Sequence, residues 1–163
     1  MSEGHIKSRP WRKWFKLVGV TGGHVPDNWV EEEASLRELV RFPKHRRPTN
    51  ISNYEGLVAY AVGKRKVFAA QRRAGAVRIN EPSGPRGSVT YRWPHEMQVE
   101  TFAWVADLRD APDLGVAFPD FMEKYRKNFW NGSHWQITDD EFVAIQAAIL
   151  AAGEGAPVPP PPF

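Results

Sequence analysis

The side chains that offer chemistry in this chain are flat or cationic. Phe129, Trp130 and Trp135 fall within the stretch Asn128-Phe129-Trp130-Asn131-Gly132-Ser133-His134-Trp135, and Trp104 closes an apolar run upstream of them. Every nucleobase has a π-face, so an aromatic cluster of this kind suits a pocket for an unpaired or flipped base. The same rings serve as core where they pack against apolar neighbours, and both readings stand. Lys44-His45-Arg46-Arg47, held between Pro43 and Pro48, is the densest basic run, and Lys64-Arg65-Lys66 forms a second basic turn. Arg46, Arg47, Lys64 and Arg65 are candidates for contacts to a phosphate backbone, which position a nucleic acid without specifying its sequence. The alternative is a solvated loop and a solvated turn.

Other chemistries are poorly served. The chain has no cysteine, which removes disulfides, thiolate metal sites and a cysteine nucleophile. His5, His24, His45, His95 and His134 are scattered without a metal-ligand spacing. The glycines do not form a phosphate-cradling loop, and no G-x-S-x-G nucleophile motif occurs. Asp139, Asp140 and Glu141 resemble a carboxylate cluster, but they follow Thr138 in the T-x-x-E form of a helix capping box. The expectation is a binding protein without cofactor or metal, with an enzyme as an open alternative. Residues 1–92 carry 18 Lys and Arg against 8 Asp and Glu, whereas residues 93–163 carry 4 against 11. The basic excess of the first part suits a polyanionic partner. No apolar run approaches the ~20 residues that span a bilayer, and the first ten residues lack the apolar region of a signal peptide. A cytoplasmic protein with no membrane partner is expected.

Positioning these side chains falls to a series of short elements. Residues 1–10 read as a disordered leader and 11–20 as a first strand. Asp27 or Asn28 caps a helix predicted over 28–41, with Trp29, Leu36, Leu39 and Val40 on one face. A basic loop spans 42–53. Gly56–Gln71 reads as a hairpin apolar on both faces, as in a buried or strongly curved sheet. After a turn-rich excursion at 79–88, strands are expected at 89–93 and 95–108, the latter with Met97, Val99, Thr101, Ala103 and Val105 on one side. A short helix over 119–127 leads into an aromatic loop at 128–135. The capped helix then runs from 138 to about 152, and residues 153–163 form a flexible Pro-rich tail. Together these predict one α+β domain over 11–152, a small mixed or antiparallel β-barrel flanked by helices.

The order of these pieces resembles a family. A strand ends at Val18-Gly19-Val20-Thr21. A helix is followed by Arg46-Arg47-Pro48-Thr49-Asn50, and then by the strands Gly56-Leu57-Val58-Ala59-Tyr60 and Lys66-Val67-Phe68-Ala69-Ala70. Trp93-Pro94 leads into the long strand with Met97 and Val99, and Ile137-Thr138-Asp139-Asp140-Glu141-Phe142 opens the closing helix. This is similar to the EVE domains of the PUA-like superfamily, relatives of the YTH readers of methylated adenine. Leu57 stands where that family commonly carries aspartate. The resemblance implies a barrel pocket that accepts a modified base in DNA or RNA. It places Thr21, Arg46, Thr49, Asn50 and Tyr60 at the pocket's border, Arg46 and Arg47 on phosphate, and Asn50 on a base edge. Trp104, Phe129, Trp130 and Trp135 are the stacking candidates from the residues themselves. Two other classes remain open: a protein-interaction module that recruits a protein partner through the Pro-rich tail, and an enzyme acting on a modified base.

Overall fold

Alternation along Lys13–Val18 (β1) divides its side chains between two faces, Trp14, Lys16 and Val18 on one and Phe15 and Leu17 on the other. In the computed structural model, which describes residues 11–20 and 23–162, every strand is built on this division. The leader at 1–10 and Thr21 lie outside the described residues. A short helix, Trp29–Glu32 (α1), and a 3-10 turn, Ala34–Arg37, lead into a strand at Leu39–Phe42 (β2). The expected hairpin follows as Gly56–Ala61 (β3) and Lys66–Arg78 (β4), with all six residues of β3 buried. Val89–Arg92 is a single helical turn (α2), and His95–Trp104 is β5. Three short helices, Leu114–Ala117 (α3), Pro119–Lys124 (α4) and Arg126–Asn131 (α5), precede the strand His134–Ile137 (β6). Asp139–Ala152 (α6) and a two-residue strand, Glu154–Gly155 (β7), complete the order.

The strands form one sheet in the order β2-β5-β4-β3-β1-β6, with β7 paired to β5. β1 and β3 run parallel and the other ladders are antiparallel. The sheet curls into a half-barrel flanked by helices. Its two ends approach through side chains, with the rings of Phe42 on β2 and His134 on β6 5.0 Å apart. Inside the curl Trp14, Val40, Phe42, Leu57, Met97 and Val99 form one apolar cluster. On the other face Phe15, Val58 and Tyr60 pack against Phe121 of α4 and against Phe142, Ile145 and Ile149 of α6. Thr138 caps α6 through the predicted capping box: its Oγ1 accepts from Glu141 N, and Glu141 Oε1 accepts from Thr138 N.

Four expectations change. The helix over 28–41 stops at Glu32, and Leu39–Phe42 is a strand, because Val40 and Phe42 bury at period two against Met97 and His95 of β5. Residues 89–93 are not a strand: Ser88 and Pro85 make a turn, and no ladder pairs the segment among the described residues. The aromatic stretch is not a loop, since Phe129 and Trp130 lie on α5 and Trp135 on β6. The Pro-rich tail packs on the domain. Its β7 residues pair with Ala103 and Trp104, and Val158 N donates to Gln146 Oε1 of α6. No helix among the described residues is long and apolar enough to cross a membrane.

Candidate functional site

The apolar cluster fills one end of the curl. Toward the other end β1 presents Lys16 and Val18, β3 presents only the methyl group of Ala59, and β4 presents Gln71. Small residues at Ala59 and Gly19 leave a cavity of about 330 Å3 there, at the lower end of the range of small-molecule sites (about 300–1,000 Å3). Leu36 and Val40 supply an apolar wall, and Trp93, just after α2, supplies an aromatic one. A Cβ added at Gly19 would meet the Trp93 ring at 3.5 Å, so the indole lies directly against the backbone just after β1. The Arg92 guanidinium lies 4.4 Å from the centre of the same ring. Glu33, Ser35, Thr90 and Arg41 add polar atoms to the lining, and Glu96 holds Arg41 at 2.7 Å.

Two polar groups are built into the buried part of this wall. Lys16 is 3% exposed. Its ammonium donates to Leu17 O and, at 3.3 Å, to Ser133 Oγ, and sits 4.7 Å from the Phe42 ring centre. Burial drives its pKa down to about 7, because the charged form has lost water. Gln71 is 1% exposed, and its Oε1 has no hydrogen-bond partner among the described residues. Next to Lys16, His134 is held neutral near pH 7: burial first, then the charges of Lys16 and Arg46, lower its pKa to about 4.

The cavity adjoins a trough. A depression of about 440 Å3 shares Lys16, Gly19 and Trp93 with it, and is further lined by His24 and Arg92. That depression in turn shares Gly132 with a shallow one of about 320 Å3 that carries Arg46 and Lys127. Trp93 is thus a wall common to a partly open cavity and a surface path lined by cations.

The structure distributes the predicted site residues differently. Tyr60, Phe129 and Trp135 belong to the core on the opposite face of the sheet. Tyr60 and Trp135 are buried, and Phe129 packs edge-on against Phe15, Tyr60 and Trp135 at 5.0–5.5 Å. Their positions in strand and helix alternation turn them away from the cavity. Trp104 stands at the end of β5 with the Arg37 guanidinium 4.6 Å from its ring, outside the cavity lining. Trp130 is 83% exposed on the surface of α5. Asn50 bonds His134 Nε2 through Oδ1 at 3.2 Å, and Thr49 is exposed beside it in the 3-10 turn Pro48–Asn50. Arg46 reaches the trough, where Nη2 donates to Asn131 O at 2.8 Å, and Arg47 is exposed nearby. Lys64 pairs with Asp27 at 3.0 Å, and Arg65 packs by Gly115, both at the hairpin turn. Lys16, Gln71 and Trp93 were missed. Lys16 carries a signal in the sequence, being a lysine between Trp14 and Val18, the apolar, buried residues two positions to either side on the strand.

No protein-family model matches the chain, and no curated protein is significantly similar to it.

Proposed function

We propose that the chain is a nucleic-acid-binding module of the EVE and PUA-like type, which holds one flipped, modified base in the cavity beside Trp93 without catalysing a reaction. The observation that supports this reading is the junction at Trp93 between a partly open cavity and a cation-lined trough. A base enters the cavity, and its backbone follows the trough past Arg92, Arg46 and Lys127. The resemblance of the order of its segments to EVE domains is a second support. The aromatic contact is Trp93, and Arg46 keeps the phosphate role expected of it.

Short DNA and RNA oligonucleotides that differ in one central base test the reading: cytosine, 5-methylcytosine, adenine, N6-methyladenine, thymine and uracil. One modified base should bind more tightly than its unmodified parent. Two or three phosphate contacts should give a slope of log K against log salt of about −2 to −3, and Arg46→Ala should reduce it by about 1. Equal affinity for every base, with no dependence on salt, would sink the proposal. Replacing Trp93 by alanine should weaken the best oligonucleotide by about 5- to 150-fold, the equivalent of the ~1–3 kcal/mol of one stacked base. Trp93 is only half-buried, so the melting temperature of that variant should stay close to that of the wild type. A variant that melts normally and binds normally would remove Trp93 from the site.

A further inference from the structure

The orientation of the Gln71 amide is set from outside the cavity. Thr101 Oγ1 donates its only hydrogen to Arg37 O at 2.7 Å, so it can only accept from its other neighbour, Gln71 Nε2, at 3.0 Å. The second Nε2 hydrogen goes to Leu36 O at 2.8 Å. Both partners are acceptors at that point, so the NH2 end of the amide must face them. Oε1 is left as a fixed acceptor, buried and unpartnered among the described residues, on a side chain that lines the cavity. An acceptor in that position loses free energy unless a water or a bound molecule supplies a donor. Lys16, on the same lining, has three N–H groups in its charged form, of which two serve Leu17 O and Ser133 Oγ. Its third is a donor available to the same molecule.

We infer that Gln71 is a specificity-determining residue, whose Oε1 accepts from an exocyclic amino group on the bound ring while Lys16 donates to the ring nitrogen beside that group. The inference rests on the reading of the cavity as a base site and deepens it. Rings of the cytosine or adenine type present this donor next to an acceptor. Their oxo counterparts, of the uracil or hypoxanthine type, place a carbonyl oxygen against Oε1 and an N–H against the ammonium. Both contacts then become repulsive. A substituent elsewhere on the ring, such as a 5-methyl group, leaves the match unchanged.

The test uses the full chain and short oligonucleotides with one central base in matched pairs: 5-methylcytosine against thymine, and adenine against hypoxanthine. The amino member of each pair should bind about 10-fold or more tightly. Gln71→Met, which fills the same space without an acceptor, should bring the ratio close to one. Thr101→Val lies outside the cavity lining and frees the amide to turn, so it should lower the ratio as well. It serves as the second readout if Gln71→Met folds poorly. Equal binding of amino and oxo partners, at an affinity that still falls with Trp93→Ala, would overturn the inference and leave the base site standing. Preference for the oxo partner, or a ratio unmoved by both variants, would also overturn it. Absence of binding to all four oligonucleotides and to the wider modified panel would remove the base site itself.

Discussion

Lys16→Met should make the protein more stable and, if the proposed base site is right, its binding of oligonucleotides weaker. A lowered lysine pKa means that the fold holds the neutral amine more easily than the ammonium. The drop from 10.5 to about 7 is worth about 4–5 kcal/mol at about 1.4 kcal/mol per pKa unit. This is the penalty that the charged side chain imposes on the fold at acidic and neutral pH. Methionine occupies similar space without charge. It leaves Leu17 O and Ser133 Oγ without the ammonium, and each unmet acceptor costs about 1–3 kcal/mol. The expected net gain at pH 6 in urea or guanidinium unfolding is at most about 3 kcal/mol, reached where each acceptor costs about 1 kcal/mol. The pH dependence has a definite sign. Between the folded pKa near 7 and the unfolded value of 10.5, the unfolded chain binds a proton that the native protein does not, so wild-type stability rises with pH across that window. Below pH 7 both states are protonated and Lys16 contributes no slope. The variant's advantage should therefore shrink as pH rises from 7 and reverse before pH 10, because the penalty relieved in the wild type over that window, about 1.4 kcal/mol per pH unit, exceeds the net gain at pH 6. A constant difference would show that Lys16 carries no burial penalty. The loss of binding is the other half of the expectation. A group that destabilises the fold and strengthens the complex is kept for the ligand, which is the usual relation between stability and activity at a site.

Glu55→Ala should cost about 3–5 kcal/mol, the cost of breaking a buried ion pair from one side. Glu55 is fully buried where the basic loop joins β3. Its carboxylate accepts from Arg12 N and Nε, both at 3.0 Å, from Trp14 Nε1 at 3.0 Å and from Ser52 N at 2.8 Å. Burial alone would raise its pKa. These hydrogen bonds outweigh that effect and hold it below the ordinary carboxylate value. A depressed pKa contributes stability that is complete above the unfolded value and is lost as pH falls through the folded one. Acid unfolding of the wild type should therefore contain a step that the alanine variant lacks. Arg12 Nη2 also donates to Asn50 O at 2.6 Å, so the same cluster fixes the loop that carries Arg46. The salt dependence of oligonucleotide binding should flatten in the variant along with its stability. Glu55→Gln keeps the shape but must aim an NH2 at donors, so it should lie between the two. A stability change under 1 kcal/mol for Glu55→Ala would show that the cluster is replaceable by water.

The elements legible in the sequence are those whose signal is local. The capping box at Thr138 satisfies two N–H groups of its own helix, and the α6 it opens runs from Asp139 to Ala152 as read. The run Met97, Val99, Ala103 has period two and buries one face of β5, as predicted. The apolar hairpin is β3 and β4 because a stretch with no polar face needs a sheet covered on both sides. Segments whose partners are distant were misread. Leu36, Leu39 and Val40 fit helical spacing as well as strand alternation, and only the ladder to β5 decides for the strand. The seven tryptophans are alike in composition, and sequence separates none of them into core, surface or cavity. Trp135 is core because β6 pairs with β1 and turns it toward Phe15. Trp130 is exposed because α5 carries it on its outer side. Trp93 walls the cavity because the curl of the sheet brings Gly19 against its ring. Composition, basic excess and strand order thus determined that the chain is a curved mixed sheet with aromatic and cationic surfaces. Which aromatic and which polar groups share one enclosed space was decided by packing between residues tens of positions apart, and no local pattern encodes that.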